Sequence, residues 1–347
     1  MARTRDRPEL STYYARIAAA GLAPLWERLP DLLPAEPRVR ALPHRWHYAS
    51  LRPLLLEAGG IVTADEAERR VLILENPGLA GESAVTDSLF AGLQVIMPGE
   101  VAPSHRHTPA ALRFILESDN AYTFVDGERI PMAPGDFIVT PSWTWHDHAH
   151  DGEAPVVWLD VLDLPAVRAI GPRFAEHYPE QRVPERARTD TSLYRYGMNM
   201  APAGAAGHAA SPLRYPYARA LAALTALRDG GEEADPCHGI KLEYTDPTRG
   251  SAALPTISAF LQLLPAGFRG APYRSTEGTI FCAVRGQGTV TAATRDAEVT
   301  LAYGPNDLIA IPCWCSHSFA ADEESVLFSA SDRALQTRLG LWREARG

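Results

Sequence analysis

Three histidines in this chain have the spacing of a metal site. His105 and His107 follow Gly99, and His146 closes the run Pro141-Ser142-Trp143-Thr144-Trp145-His146 after Gly135. Along an extended strand side chains alternate faces, so His105 and His107 point the same way and can share one ion. The Gly135-Asp136 turn lets a second strand return beside the first, which makes His146 the natural third imidazole. Three neutral nitrogen donors suit zinc, copper, iron or nickel and leave coordination positions open for a substrate. Arg113 lies six residues after His107 and shares its face. A buried guanidinium needs an anion, and a substrate carboxylate held in the two-pronged geometry is expected there. His148, two residues after His146, also points inward as a hydrogen-bonding group near the ion.

Both glycine-led histidine motifs resemble those of the cupin barrel. Cupins usually add a carboxylate after three or four intervening residues. Ala111 and Leu112 occupy those positions here, so the ligand set is three histidines without an acid, and no acid at that place satisfies Arg113. A wider run is similar to the bicupin ring-cleaving dioxygenases that act on gentisate, salicylate and 1-hydroxy-2-naphthoate. It comprises Gln94-x-Ile96-Met97-Pro98-Gly99-Glu100, His105-Arg106-His107-Thr108, Ala111-Leu112-Arg113-Phe114 and Trp145-His146-Asp147-His148, and the likeness extends from about Pro43 to the C-terminus.

That resemblance implies an oxidoreductase with one Fe(II) per chain, held by His105, His107 and His146. It implies that O2 is inserted between the carboxyl-bearing and ortho-hydroxyl-bearing carbons of an aromatic acid. Gentisate, opened to maleylpyruvate, is the expected substrate; salicylate, a substituted salicylate and 1-hydroxy-2-naphthoate are the alternatives. Arg113, His148 and Asp160 are implied as catalytic residues. Arg113, Gln94, Arg69, His148 and Phe90 are implied as substrate-binding, with Arg70 an alternative to Arg69. A reading of another class is a non-oxygenase metal cupin, an isomerase, lyase or small-molecule binder, whose activity or binding would persist without oxygen.

The elements that must position these residues read as mainly β. At 347 residues, with 46% hydrophobic and 22% charged residues, the chain can bury a substantial core. A net charge of -9 argues against a nucleic-acid partner. No long apolar run or apolar leader is present, so a cytoplasmic protein without a membrane partner is expected. The four cysteines, including Cys313-x-Cys315, suit buried apolar positions better than a disulfide scaffold.

Residues 1–45 are predicted to be a helical arm, with a helix from Glu9 to Leu33 capped by Ser11 and broken at Pro24. Residues 46–165 form the metal-binding barrel. It opens with a short helix that stops at Gly59-Gly60, then a strand over Arg70–Glu75, then short strands punctuated by Pro98-Gly99, Asp126-Gly127, Pro134-Gly135 and Asp151-Gly152. Residues 166–235 are a connector with a flexible Ala/Gly patch at 201–210 and a helical run from about Leu213 to Arg228. Residues 236–347 repeat the first pattern. Pro141-x-Trp143-x-x-His146 recurs as Pro312-x-Trp314-x-x-His317, and the offset that aligns Pro98 with Pro265 and Phe114 with Phe281 puts Pro272 and Arg274 at the first two ligand positions. The second barrel is therefore expected to be metal-free. The arm and the resemblance together lead us to expect a homotetramer or dimer. His44, His47, His150, His177, His208 and His238 show no comparable pattern.

Overall fold

Prolines decide where the first helices begin. In the computed structural model Pro8 opens α1 (Pro8–Ala19) and Pro24 caps α2 (Leu25–Leu32), because a fixed φ and a missing N–H are harmless in a first turn. Ser11 therefore lies inside α1 and is not its cap, which is Arg7. The structure describes residues 7–198, 211–295 and 297–347, so the Ala/Gly patch at 201–210 falls outside the described residues. It resolves into two compact units, Met1–Arg38 and Val39–Gly347. In the first unit neither helix has a buried residue.

The second unit contains both barrels. Its strands are β1 (His44–Trp46), β2 (Val71–Ile73), β3 (Phe90–Ile96), β4 (Val101–His107), β5 (Ala111–Glu117), β6 (Ala121–Val125), β7 (Glu128–Met132), β8 (Phe137–Thr140), β9 (His146–His150), β10 (Val156–Leu162), β11 (Ala175–His177) and β12 (Arg214–Tyr215). The chain continues through β13 (Ile240–Glu243), a hairpin of β14 (Thr245–Asp246) and β15 (Ser251–Ala252), β16 (Ser258–Leu264), β17 (Tyr273–Ser275) and β18 (Thr279–Arg285). Then come β19 (Gly288–Ala293), β20 (Glu298–Tyr303), β21 (Leu308–Ile311), β22 (Ser316–Ala321), β23 (Ser325–Ser331) and β24 (Glu344–Arg346). The first barrel closes from sheets ordered β12-β8-β5-β10-β3-β2 and β11-β4-β9-β6-β7, the second from β1-β21-β18-β23-β16-β13 and β20-β19-β22-β17-β24. Three of these strands cross the expected divisions at residues 45 and 165. β1 joins the second barrel at β21, whereas β11 and β12 extend the first barrel at β4 and β8.

Strand alternation sorts the apolar residues into separate cores. On β5, Ile115 faces the first barrel's interior with Ile130, Ile138 and Trp158. Leu112, Phe114 and Leu116 face the other way, into a core shared with Leu261, Ala310 and Phe328 of the second barrel. There Phe114 stacks on Phe328, centroids 4.1 Å apart at 12°. Burial on both faces explains why these strands read as nearly unbroken apolar runs.

The helix α3 (Tyr48–Ile61) runs through Gly59 and Gly60 instead of stopping there. Gly59 packs closely against the flexible Met97 side chain, whose sulfur would lie 2.6 Å from a Cβ placed there. The turn after β5, Glu117-Ser118-Asp119-Asn120, has its left-handed residue at Asn120. Glu117 there accepts hydrogen bonds from the Tyr48 hydroxyl and the Arg52 guanidinium, tying α3 to the barrel.

The repeat also needs correction. Tyr273 pairs with His317 just as His105 pairs with His146. The amide of Trp314 donates to Ser275 O as that of Trp143 donates to His107 O. Tyr273 and Ser275, not Pro272 and Arg274, therefore occupy the first two ligand positions of the second barrel. The sequence offset was one residue out, which in a strand exchanges inside for outside.

Candidate metal centre and active site

Adjacent strands bring the three histidines together. β4 supplies His105 and His107, β9 supplies His146, and His105 lies directly opposite His146 beyond a bulge in the β4–β9 ladder. Their ring centroids are 4.5–5.2 Å apart, and one nitrogen from each lies within 4.8 Å of the others. Nδ1 of His107 bonds to Pro109 O at 2.8 Å and Nδ1 of His146 to Thr144 O at 3.0 Å. Each carbonyl fixes its tautomer and leaves Nε2 with a lone pair for a metal. Burial keeps the rings neutral: it pushes the pKa of His105 to about 2 and of His107 to about 4, and that of His146 well below the usual value. Three neutral, oriented imidazoles, with no acid in their cluster among the described residues, fit a divalent transition metal with open positions.

The sheet opposite carries the charged groups. Arg113 on β5 faces Asp160 on β10 across the ladder, with Nε 3.5 Å from Oδ1. Its Nη1 donates to the Thr140 hydroxyl. The acid that meets Arg113 thus comes from β10 and not from positions 111 and 112, which hold alanine and leucine. Asp160 also accepts from the Trp158 indole at 3.0 Å. Burial raises the Asp160 pKa to about 6, and Arg113 opposes only part of that rise.

Adjacent arginines have different surroundings. Arg70 is buried and clamps Glu100 through both terminal nitrogens at 2.7 and 2.9 Å. Arg69 donates to Pro103 O at 2.6 Å, and its charge acts on His105, His107, His146 and His148. Burial and the nearby Arg113 lower its pKa to about 10. Arg69 is thus the one that faces the histidines.

His148 is 1% exposed, lies 5.0 Å from the Trp158 ring, and has no hydrogen-bond partner at either nitrogen. Buried polar atoms without partners are expected to meet a ligand or water. Gln94 is buried on the inward face of β3, and Phe90 begins that strand, half-buried. His177, which no local motif marks, lies on β11 opposite His105, the two rings 6.4 Å apart. Only a pairing between distant segments brings it there. Two other described histidines are engaged elsewhere: Nε2 of His150 bonds to Ala154 O, and Nδ1 of His47 to Asp307, while His208 lies outside the described residues.

Comparisons with known proteins agree with this geometry. The cupin domain family matches residues 92–162. Gentisate 1,2-dioxygenase 1 of Aquipseudomonas alcaligenes is 46% identical over 99% of this chain and 97% of its own. Gentisate 1,2-dioxygenase of a Ralstonia species is 37% identical over 100% and 96%. The crystal structure of salicylate 1,2-dioxygenase from Pseudoaminobacter salicylatoxidans, an adduct with gentisate, superposes with a TM-score of 0.91 at 31% identity, covering 99% of this chain and 96% of that one. Similarity of this extent across both barrels places the chain in the gentisate 1,2-dioxygenase family of bicupin ring-cleaving dioxygenases.

Proposed function

We propose that this protein is a gentisate 1,2-dioxygenase that opens the ring between the carboxyl-bearing and hydroxyl-bearing carbons, both atoms of O2 entering the product maleylpyruvate. The observation that carries this reading is two guanidiniums, Arg69 and Arg113, with Asp160 paired to Arg113, beside a neutral three-histidine site. That surplus of positive charge favours an anionic acid despite the chain's net charge of -9. His105, His107 and His146 would hold one Fe(II), which when bound supplies the electron path between ring and dioxygen.

The remaining groups bind and orient. Arg113, steadied by Asp160 and Thr140, presents its fork to the carboxylate, and Arg69 adds a second charge from the β4 side. His148, neutral and without a partner, is available to donate a hydrogen bond to an oxygen at the ring or at O2. Gln94 and Phe90 line the wall on β3. The unburied apolar faces of α1 and α2, with Trp26 60% exposed, support self-association of this cytoplasmic enzyme as a dimer or tetramer.

The test is oxygen uptake by protein reconstituted anaerobically with Fe(II) and given gentisate, salicylate or 1-hydroxy-2-naphthoate. Stoichiometric uptake with gentisate and the absorbance of maleylpyruvate are expected. Chelation should abolish both, and Fe(II) but not Zn(II) should restore them. Turnover that persists without oxygen would point to an isomerase or lyase instead.

A further inference from the structure

β11 arrives from beyond the first barrel's last long strand and pairs along the ligand strand β4. Its register sets Ala175 opposite His107, Glu176 opposite Arg106 and His177 opposite His105. Residues directly opposite in a ladder share a face. The outward pair confirms the phase, since Glu176 accepts from Arg106 at 2.6 and 2.9 Å. Ala175 and His177 therefore lie on the metal side. Ala175 is small, whereas His177 stands as a further imidazole beyond the triad and His148, its ring 6.4 Å from that of His105.

His177 is exposed, and among the described residues its ring nitrogens meet no hydrogen-bond partner. β11 belongs to the sheet of β4 and β9, whereas Arg113 and Asp160 sit on the barrel's other sheet. An aromatic acid held by its carboxylate at Arg113 and by its ortho-hydroxyl at the three-histidine site extends its opposite edge away from that sheet. The β4–β11 edge is where that end of the ring would come to rest.

We propose that His177 is a specificity-determining residue that hydrogen-bonds a polar substituent on the ring edge opposite the chelating oxygens, so that it favours a para-dihydroxy acid over the same acid without its second hydroxyl. This inference rests on the ring-cleavage reading and adds a contact that discriminates between substrates. β11 itself is held by aromatic contacts on either side, Phe174 against Trp143 at 4.5 Å and Tyr178 against Trp145 at 5.0 Å, so the imidazole is carried on a fixed support.

The experiment is anaerobic titration of the Fe(II)-loaded protein with gentisate and with salicylate, followed by tryptophan fluorescence, for wild type, His177→Ala and His177→Gln. His177→Ala should raise the Kd for gentisate about tenfold, as expected for one lost hydrogen bond. It should leave the Kd for salicylate and the iron content unchanged, and His177→Gln, which keeps a donor, should recover part of the loss. Equal weakening of both ligands, or no weakening of either, overturns the proposal while wild-type oxygen uptake still supports the dioxygenase. Failure of wild type to bind either acid removes the ring-cleavage reading, and the proposal with it.

Discussion

Arg113 and Asp160 face each other across the β5–β10 ladder, Nε to Oδ1 3.5 Å, both almost wholly buried. The pair leaves the other edge of the guanidinium toward Thr140 and the pocket. Arg113→Met should keep its iron and raise KM for gentisate roughly tenfold to a hundredfold, the size of a charge-assisted hydrogen bond. It should also cost about 3 kcal/mol of stability, because Asp160 is left buried without its cation. Metal analysis and denaturant unfolding separate the two effects; iron loss instead would make Arg113 structural.

Asp160 gives a pH signature. Its folded pKa, raised by burial to about 6, lies above the ordinary carboxylate value. The folded state therefore binds the proton more tightly than the unfolded state. The stabilisation it brings is complete below the unfolded pKa and is lost as pH rises through about 6. Asp160→Asn should flatten the stability profile between about pH 4 and 6. In activity the sign is opposite: kcat/KM should fall below about pH 6 as the carboxylate that orients Arg113 is neutralised. Unfolding and kinetic profiles of the two proteins, recorded side by side, check both.

Neighbouring arginines should give contrasting variants. Arg69→Met is expected to weaken gentisate binding about tenfold with little change in Tm, since its hydrogen bonds in the structure go to two backbone carbonyls, Glu68 O and Pro103 O. Arg70→Met breaks the clamp on Glu100, whose second role is to accept from the Met97 amide at the turn before β4. It should lower Tm by several degrees and affect KM little. A reversed pattern would exchange their assignments.

The joint between barrels can be probed through the Phe114–Phe328 stack. Phe328→Ala should cost about 3–5 kcal/mol. Because the shared core draws on both barrels, the loss should appear as an earlier single transition in calorimetry. Two separate transitions would show that the barrels unfold independently.

Much of the site was legible because strand geometry is local. The two-residue period placed His105, His107, Arg113 and His148 on inward faces, and the structure agrees for each. Tertiary pairing was not legible. Asp160 meets Arg113 through a ladder between remote segments, and His177 reaches His105 the same way. The repeat failed for a related reason: the match of Phe114 with Phe281 was chemically attractive, but the ladders pair Arg113 with Asp160 and Phe281 with Ser329. Similar residue types on opposite faces look alike in a string of letters. Helix ends are less legible where signals compete: Pro8 sets the start of α1 ahead of Ser11, and α3 runs through Gly59-Gly60 to Ile61.

The placement of β1 bears on how the protein is made. His44 pairs with Ala310, and Trp46 with Leu308. During synthesis the segment that precedes the three-histidine barrel emerges early, yet its ladder partner leaves the ribosome only near the end of translation. A nascent chain can shape its first barrel but must hold that edge unpaired until the second is nearly complete. A chain halted between β9 and β21 would keep all three histidines of the site and still display an open sheet-forming segment, a mark by which quality control could distinguish unfinished molecules from finished ones.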